Sequence, residues 1–541
     1  MFMKTKKSAK KPSLPTIIAS LCLIATISIS TVSYYLNRNN IPLASAISIS
    51  SISPSSGPIP GGTKVTITGD NFTEPKGIIQ SATGSMHSLA VDSTGTVYSW
   101  GNNDYGQLGN GSTWTNVLEP TIITSISSLP SKVISVAAGA NTSYAITEDG
   151  DVYAWGDNYD GQIGNGDWAD VLIPEKINGA GGDITASTKI KAISAGIYHT
   201  LAIDYDGNLY SWGFGYLGHN ISVGLYDLPV KVNGANGEDA NKITSSTKII
   251  AIESGSMHSL ALDDQGNIYA WGSNTSGEIG NGVAGADVVT PSKLNGLHGE
   301  DSNMIATTTK ISAISASVSH SVATDTLGNV YTWGNNSYGK LGNGTTGGAT
   351  INKPTKITIP AEITQISAGG SYTIALDKDG KVYSWGWAGS GHLGNGSTTG
   401  ESNTPILING INGESATTIN SNTVVTNIFT NEAHTGAIDS DGNLYMWGLN
   451  INGQLGNQTT TNNPVPTTTI QAILATTVKI GSNSCTNVTI VNSSTITCVV
   501  PAHTSPATVN VTMFNGINSV VLNNGYTYYN LGAPNTGAGN N

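Results

Sequence analysis

The sequence predicts an all-β chain: a seven-bladed β-propeller, a β-sandwich split around it, and an N-terminal hydrophobic helix. Three observations carry this. A Trp-Gly dipeptide recurs seven times, at Trp100, Trp155, Trp212, Trp271, Trp333, Trp385 and Trp447, spaced 52 to 62 residues apart. Each recurrence lies in the same frame of short alternating strands and glycine turns, the mark of a radial repeat. Two strand-rich stretches, one before the repeats and one after, are each too short for a domain but together make one.

Composition agrees with strands. The 541 residues include 66 Gly and 3 Cys, with 38% hydrophobic and 11% charged residues and a formal net charge of -12. A charged fraction under half of the roughly 25% usual in soluble chains, with Val, Ile and Tyr as the apolar content, leaves few stretches suited to helices. Arg38 is the only arginine, and after residue 46 there are 17 Lys against 35 Asp plus Glu. Nucleic-acid recognition needs a basic footprint, and usually Arg for phosphates and guanine edges. No nucleic-acid partner is therefore expected, and phosphate-rich substrates are disfavoured.

Residues 1–46 read as a signal peptide or membrane anchor. Lys4, Lys6, Lys7, Lys10 and Lys11 precede an uncharged run of 20 residues, 17–36, long enough to cross a bilayer as a helix. The basic residues before it place the amino end inside. Ala44-Ser45-Ala46 resembles a small-residue cleavage site, and the sequence leaves cleavage and retention equally open. Cys22 lies within the run as a small apolar residue, and Leu21 before it does not suit a lipoprotein cleavage box. Either way the remainder is expected outside the cytoplasm, extracellular or at the cell surface.

Residues 76–468 hold the seven repeats. Ahead of each Trp stands an alternating stretch such as Tyr198-His199-Thr200-Leu201-Ala202-Ile203, then a turn such as Asp204-Tyr205-Asp206-Gly207, then Asn208-Leu209-Tyr210-Ser211-Trp212. This is strand, tight turn, strand: a β-hairpin. A glycine-rich segment follows, as in residues 101–109, then a Pro-containing strand such as Ile173-Pro174-Glu175-Lys176-Ile177. The next unit opens on a strand such as Ile190-Lys191-Ala192-Ile193-Ser194. Four strands per unit and seven units close a ring, which hides sheet edges.

The Gly-x-x-His-Ser-Leu-Ala pattern at 84–90 and 255–261, the Tyr-x-Trp-Gly strand and the Gly-x-Leu-Gly-x-Gly segment at 106–111 and 339–344 resemble the repeat family named for the regulator of chromosome condensation (RCC1). The histidine of that pattern is His87, His199, His258, His320 and His434, but Thr142 and Tyr372 stand there in the second and sixth units, which points to packing rather than chemistry. The resemblance implies the propeller without settling function, since its members include a nuclear exchange factor for a small GTPase, a plant ultraviolet photoreceptor and a secreted β-lactamase inhibitor. The first two do not suit an exported chain without the arginines of the photoreceptor's clusters.

Residues 48–74 resemble the opening strands of the immunoglobulin-like IPT/TIG domain shared by plexins and some transcription factors, and residues 474–530 supply its remainder. Joined, they give roughly 84 residues, near the ~100 of such a sandwich. A propeller suits insertion because ring closure brings its ends together. Cys485 and Cys498 bracket a hairpin with its turn near residues 491–494. Outside the cytoplasm a disulfide is the natural expectation, two free core cysteines being the alternative. A metal site would need two more ligands, and only His503 is near.

Candidate chemistry largely dissolves into the repeat. Residues 213–218 fit a dinucleotide fingerprint letter for letter, but they follow a propeller strand, open no helix, and are the third unit's glycine segment with a deletion. The turns at Asp204, Asp377 and Asp439 lack the distal Glu of a calcium loop and read as Asp-capped hairpin turns. The histidines stand one to a blade and cannot converge on one metal. No cofactor, no metal and no catalytic residue is expected.

What the repeat leaves unexplained is the candidate functional surface. Trp114 and Trp168 follow the glycine segments of blades one and two, Tyr226 lies in the corresponding region of blade three, and Trp387 is the tenth tryptophan. These four form the candidate ligand-binding aromatics; they make either a protein or glycan contact surface or satellite clusters folded onto their own blades. A second loop class, at 178–183, 233–239, 295–301 and 409–414, sets acidic groups on four blades, as a cation-attracting rim or a solvated face. The tail, 531–541, faintly resembles a sorting motif or is a flexible terminus. The expected function is exported cell-surface binding, used for protein or glycan recognition or adhesion, and not an enzyme. A secreted inhibitor of an extracellular enzyme and a glycan-active propeller enzyme are the alternatives, the latter requiring carboxylates from several blades to meet at one channel mouth.

Overall fold

The computed structural model describes residues 48–70, 72, 77–126, 129, 131–348, 350–470, 477–492, 494–514 and 519–530. The predicted leader, its helix and the tail lie outside these. The chain divides into two compact units, split at Pro75/Lys76 and at Ala472/Ile473.

The larger unit is seven four-stranded antiparallel sheets, each built from four consecutive strands. The first blade runs Ile78–Thr83, His87–Asp92, Val97–Gly101 and Val117–Ile122, and the last runs Val425–Thr430, His434–Asp439, Leu444–Gly448 and Asn463–Ile470. The sequence pattern predicts alternation along every strand, yet the second strand of each blade is buried at all six positions. The cause is stacking: a blade has a neighbour on each face, so its second strand has no solvent side. The seven Trp-Gly tryptophans are wholly buried between blades.

The second and third strands are joined by a turn built around one aspartate. Asp439 accepts the backbone N–H groups of Asp441 and Asn443 on one carboxylate oxygen. Its other oxygen accepts the Asn443 amide at 2.7 Å and the Tyr445 hydroxyl at 2.9 Å. Asp204, Asp263 and Asp325 repeat this set. Both oxygens are thereby occupied within the turn, as the sequence predicts for a hairpin cap.

The glycine segment between the third and fourth strands is tied by an asparagine. Asn103 accepts the Leu108 N–H at 3.0 Å and donates to the Ser112 carbonyl at 2.9 Å. Asn158, Asn274, Asn336 and Asn450 do the same in their blades.

Neighbouring blades are joined by a repeated relay. His87 Nε2 lies 2.9 Å from Ser143 Oγ of the next blade, and Ser143 donates at 2.8 Å to the carbonyl of Gln107, which also accepts the Trp155 indole N–H at 2.9 Å. Because the serine proton is committed to the carbonyl, the serine oxygen must accept, which fixes the proton of His87 on Nε2. The same relay closes the ring from last blade to first: His434 Nε2 is 2.8 Å from Ser88 Oγ, Ser88 donates to the Gln454 carbonyl at 2.9 Å, and Trp100 donates there at 2.8 Å. Where the histidine is replaced, tyrosine takes over: Tyr144 meets Thr200 at 2.9 Å, and Tyr372 meets Thr435 at 2.8 Å. Blade three breaks the pattern. Its shortened glycine segment brings no carbonyl to Trp271, whose buried indole N–H has no partner.

The smaller unit is a two-sheet sandwich assembled from both ends of the chain. One sheet orders Ser48–Ser53, Lys64–Asp70, Thr495–Val499 and Thr486–Asn492; the other orders Ser56–Pro58, Ser519–Tyr529, Ala507–Phe514, Thr477–Ile480 and Asn483–Ser484. Lys64 pairs with Val499 and Thr68 with Thr495 across the divide between the two segments. Val65, Ile67, Ile496, Val511, Met513 and Tyr526 fill the core, drawn from both. The split sandwich is thus one domain.

Candidate functional site

Strand order fixes which loops share an end of the ring. Connections between first and second strands and the glycine segments emerge at one end, here the loop end. The Asp turns and the connections between blades emerge at the other, the turn end.

At the loop end, the repeat buries its own tryptophans and leaves two of the four predicted aromatics outside. Trp114 is 76% exposed and Trp168 is 44% exposed. Trp114 has φ 61°, a left-handed backbone uncommon for a large residue; its N–H donates to the Asn103 carbonyl at 2.8 Å, which holds that conformation. The other two are taken up in packing. Tyr226 is half-buried and meets His219 edge-on at 5.5 Å. Trp387 lies 5.5 Å from Tyr338 and 5.1 Å from His392, which in turn stacks on Tyr372 at 5.0 Å. Sequence reasoning passed over Tyr159, 83% exposed, and Tyr105, 39% exposed, in the glycine segments of blades two and one. Their signal was the position itself: a large side chain one or two residues before the segment's central glycine, where blade four carries only Thr275 and Ser276.

The first strands line a central channel of about 290 Å³ whose wall includes Gln80, Ala137, Ser194, Ser315 and Ser367. Glu253 and Glu432 are its carboxylates. Burial pushes Glu253 up to about 8, opposed by the backbone of Ala316; burial also raises Glu432, opposed by a hydrogen bond with Ser85. They stand on blades four and seven, across the ring from each other. The repeat histidines, bound to hydroxyls of the next blade, are kept neutral by burial: His87, His258 and His434 are lowered to about 3 and His199 to about 4.

The acidic groups of the second loop class stay exposed and bond locally, as a solvated face would. Glu238 accepts the Ser245 N–H, Glu300 the Thr307 hydroxyl and Glu414 the Ser421 hydroxyl, and Asp183 accepts the Lys231 N–H. Among the described residues no group of three or more His, Cys, Asp or Glu side chains is placed to hold a metal. In the sandwich, the sulfurs of Cys485 and Cys498 lie 2.7 Å apart, unbonded and buried.

A closed seven-blade ring with hydroxyl relays between blades, carrying a sandwich made from its two flanks, defines the class: a repeat propeller inserted in an immunoglobulin-like domain. The chain belongs to the RCC1 family. The RCC1-like domain matches residues 61–421, an RCC1 repeat 441–486 and the IPT/TIG domain 472–528. The ultraviolet-B receptor UVR8 of Arabidopsis thaliana is 29% identical over 388 residues, covering 71% of this chain and 79% of the receptor. The human E3 ubiquitin-protein ligase HERC2 is 29% identical over 376 residues, 69% of this chain but 7% of the ligase, so the chain spans a small part of that relative. Among solved structures, Prp20p of Saccharomyces cerevisiae, reported with its binding to Gsp1p and histones, superposes with TM-score 0.52 at 25% identity over 66% of this chain and 80% of that one. The fold is that of a protein-binding or regulatory propeller.

Proposed function

We propose that this chain is a recognition protein of the cell exterior, not an enzyme, and that it binds a protein or glycan partner through the loop end of its propeller. The observation that carries the reading is the exposure of Trp114 and Trp168 in a ring that buries every tryptophan of the repeat itself. The ring of Trp114 lies mostly in water and adds little to holding the blades, and aromatic anchors are what binding surfaces concentrate. The basic, uncharged and small-residue succession in residues 1–46 supports export. Against a glycan-active enzyme stand the two channel carboxylates, set on blades four and seven instead of paired. A secreted inhibitor is the narrower form of the same reading, with one tight protein partner.

Outside the cytoplasm Cys485 and Cys498 form a disulfide in this reading. The buried thiols already touch, so an oxidising thiol-disulfide catalyst can accept their two hydrogens without rearranging the hairpin. Intact mass before and after reduction, on protein recovered from the exterior, checks this; protein found only as free dithiol contradicts it.

The test of the main reading is affinity capture from cell-wall and secreted material by the immobilised full chain, beside a Trp114→Ala/Trp168→Ala variant, with bound protein and sugar identified. A partner held by the wild type and lost by the variant is the expected result. Equal retention of every bound species by both would remove these aromatics from the function.

A further inference from the structure

We propose that the partner segment seated on blades one and two of the loop end is rich in arginine or lysine, a docking of cationic side chains among exposed aromatic rings. The inference rests on the recognition reading above and deepens it.

Charge is sorted between the two ends of the ring. Lys132, Lys189, Lys248 and Lys310 lie against the glycines of four successive hairpin turns, at the turn end. The two ion pairs among the described residues, Lys176 with Asp151 and Lys378 with Glu362, are also there. By contrast, residues 101–131 and 156–175 contain no Lys, Arg or His at all. The cations the loop end does have lie elsewhere: Lys340 is buried, and Lys353 stands at the joint of blades four and five.

The aromatics sit inside this uncompensated region. Tyr105 and Trp114 rise from blade one, Tyr159 and Trp168 from blade two, and Gly106 packs so closely on Leu172 that the two segments adjoin. Trp168 lies against Gly161, beside Asp227. Asp157 and Asp160 flank Tyr159 in sequence, and both are raised above the ordinary carboxylate range, first by burial. For Asp157 the negative charges of Asp170 and Asp160 add to that, while the Tyr159 N–H and Asn141 oppose it. A patch of aromatic faces with repelling carboxylates between them attracts a cation twice, through the rings and through the charges. An anionic or purely apolar partner would leave those carboxylates unanswered, at a cost on desolvation.

The probe is a fluorescein-labelled octa-arginine peptide titrated against the full chain by anisotropy at low and high salt, with octa-glutamate as its counterpart. Three variants separate the causes. Trp168→Ala with Tyr159→Ala removes rings, Asp104→Asn with Asp160→Asn removes loop-end charge, and Asp149→Asn with Asp206→Asn removes equal charge at the turn end. The expected result is binding of octa-arginine alone, weakened about tenfold by the first two variants and within about twofold of wild type in the third. Equal weakening by the loop-end and turn-end charge variants would show attraction to net charge only and overturn the proposal, as would indifference to both loop-end variants. If captured native partners depend on Trp114 and Trp168 while octa-arginine binding ignores the loop end, recognition stands and the cationic partner falls.

Discussion

Each second strand of the ring carries its two ends' different tasks within six residues. In five of the seven blades it opens on histidine at the loop end and closes on aspartate at the turn end, as in His87–Asp92, His258–Asp263 and His434–Asp439. The aspartate turns back on its own hairpin, so the turn end is self-contained: hydrogen-bond capacity is used locally, and the exposed side chains of Tyr205 and Leu327 in its turns take no part in the caps. The histidine reaches out to the next blade, so the loop end holds the ring together beneath its surface. It also displays side chains that take no part in doing so. Cohesion and display share one end, and the relay beneath lets the loops above vary.

Acid gives the largest difference between the ends. The imidazoles of His87, His258 and His434 stay neutral in the folded chain down to about 3 and that of His199 down to about 4, while an unfolded imidazole takes up its proton near 6.5. Nε2–H is already donated to a hydroxyl, and the second proton would have to sit on Nδ1 inside the blade joint, which is why burial depresses them. Below pH 6.5 the unfolded chain therefore binds more protons, and stability falls as pH falls toward 4 by about 1.4 kcal/mol per imidazole per pH unit. Denaturant midpoints from pH 7 down to 4 should drop steeply, and a His258→Gln/His434→Gln variant should show a shallower slope. A slope unchanged by that variant would place acid sensitivity elsewhere.

A single turn comes next. Asp439→Ala strips four donors of their acceptor and should cost about 2–4 kcal/mol in urea unfolding. Asp439→Asn, which keeps the shape and one of the two accepting oxygens, should cost less than Asp439→Ala.

Blade three sharpens the comparison further, because there the relay is incomplete. Trp333 donates its indole N–H to the Glu278 carbonyl at 2.7 Å, whereas Trp271 has no acceptor. Trp333→Phe should therefore be more destabilising than Trp271→Phe by about 1 kcal/mol, although both rings are equally buried. Equal losses would mean that the indole bond contributes nothing net and that packing alone sets the value of these tryptophans.

These cases also mark how far the sequence could be read. The seven Trp-Gly units, the turn aspartates and the two halves of the sandwich are legible because each is a short-range pattern: a period, a cap, a strand of the right length. Even the deletion in residues 213–218 is visible as a shortened spacing. Its consequence for Trp271 is not, because the shortened segment around Leu217 belongs to one blade and the orphaned indole to the next. The same holds for the aromatics. Trp114, Trp168, Tyr226 and Trp387 look alike as residues left over from the repeat, and only contacts made by folding, within blade three for Tyr226 and both within blade six and across its joint with blade five for Trp387, separate these half-buried two from the two that face solvent. Tyr substituting for His at residue 372 restores the relay through a longer side chain, a compensation that needs the neighbouring blade in view.

The smallest effect tests the display side of the comparison. Trp114 bonds to Asn103 through its backbone, and its ring is mostly in water. Truncation therefore removes little buried area, and Trp114→Ala should change stability by no more than about 0.5 kcal/mol. Trp114→Gly relaxes the left-handed backbone at φ 61° as well, so it should be equal to or slightly more stable than the alanine variant. A loss of several kcal/mol on Trp114→Ala would make this tryptophan part of the ring's cohesion. The two tasks of the loop end would then be one, and its exposed rings would lose their claim to be kept for a partner.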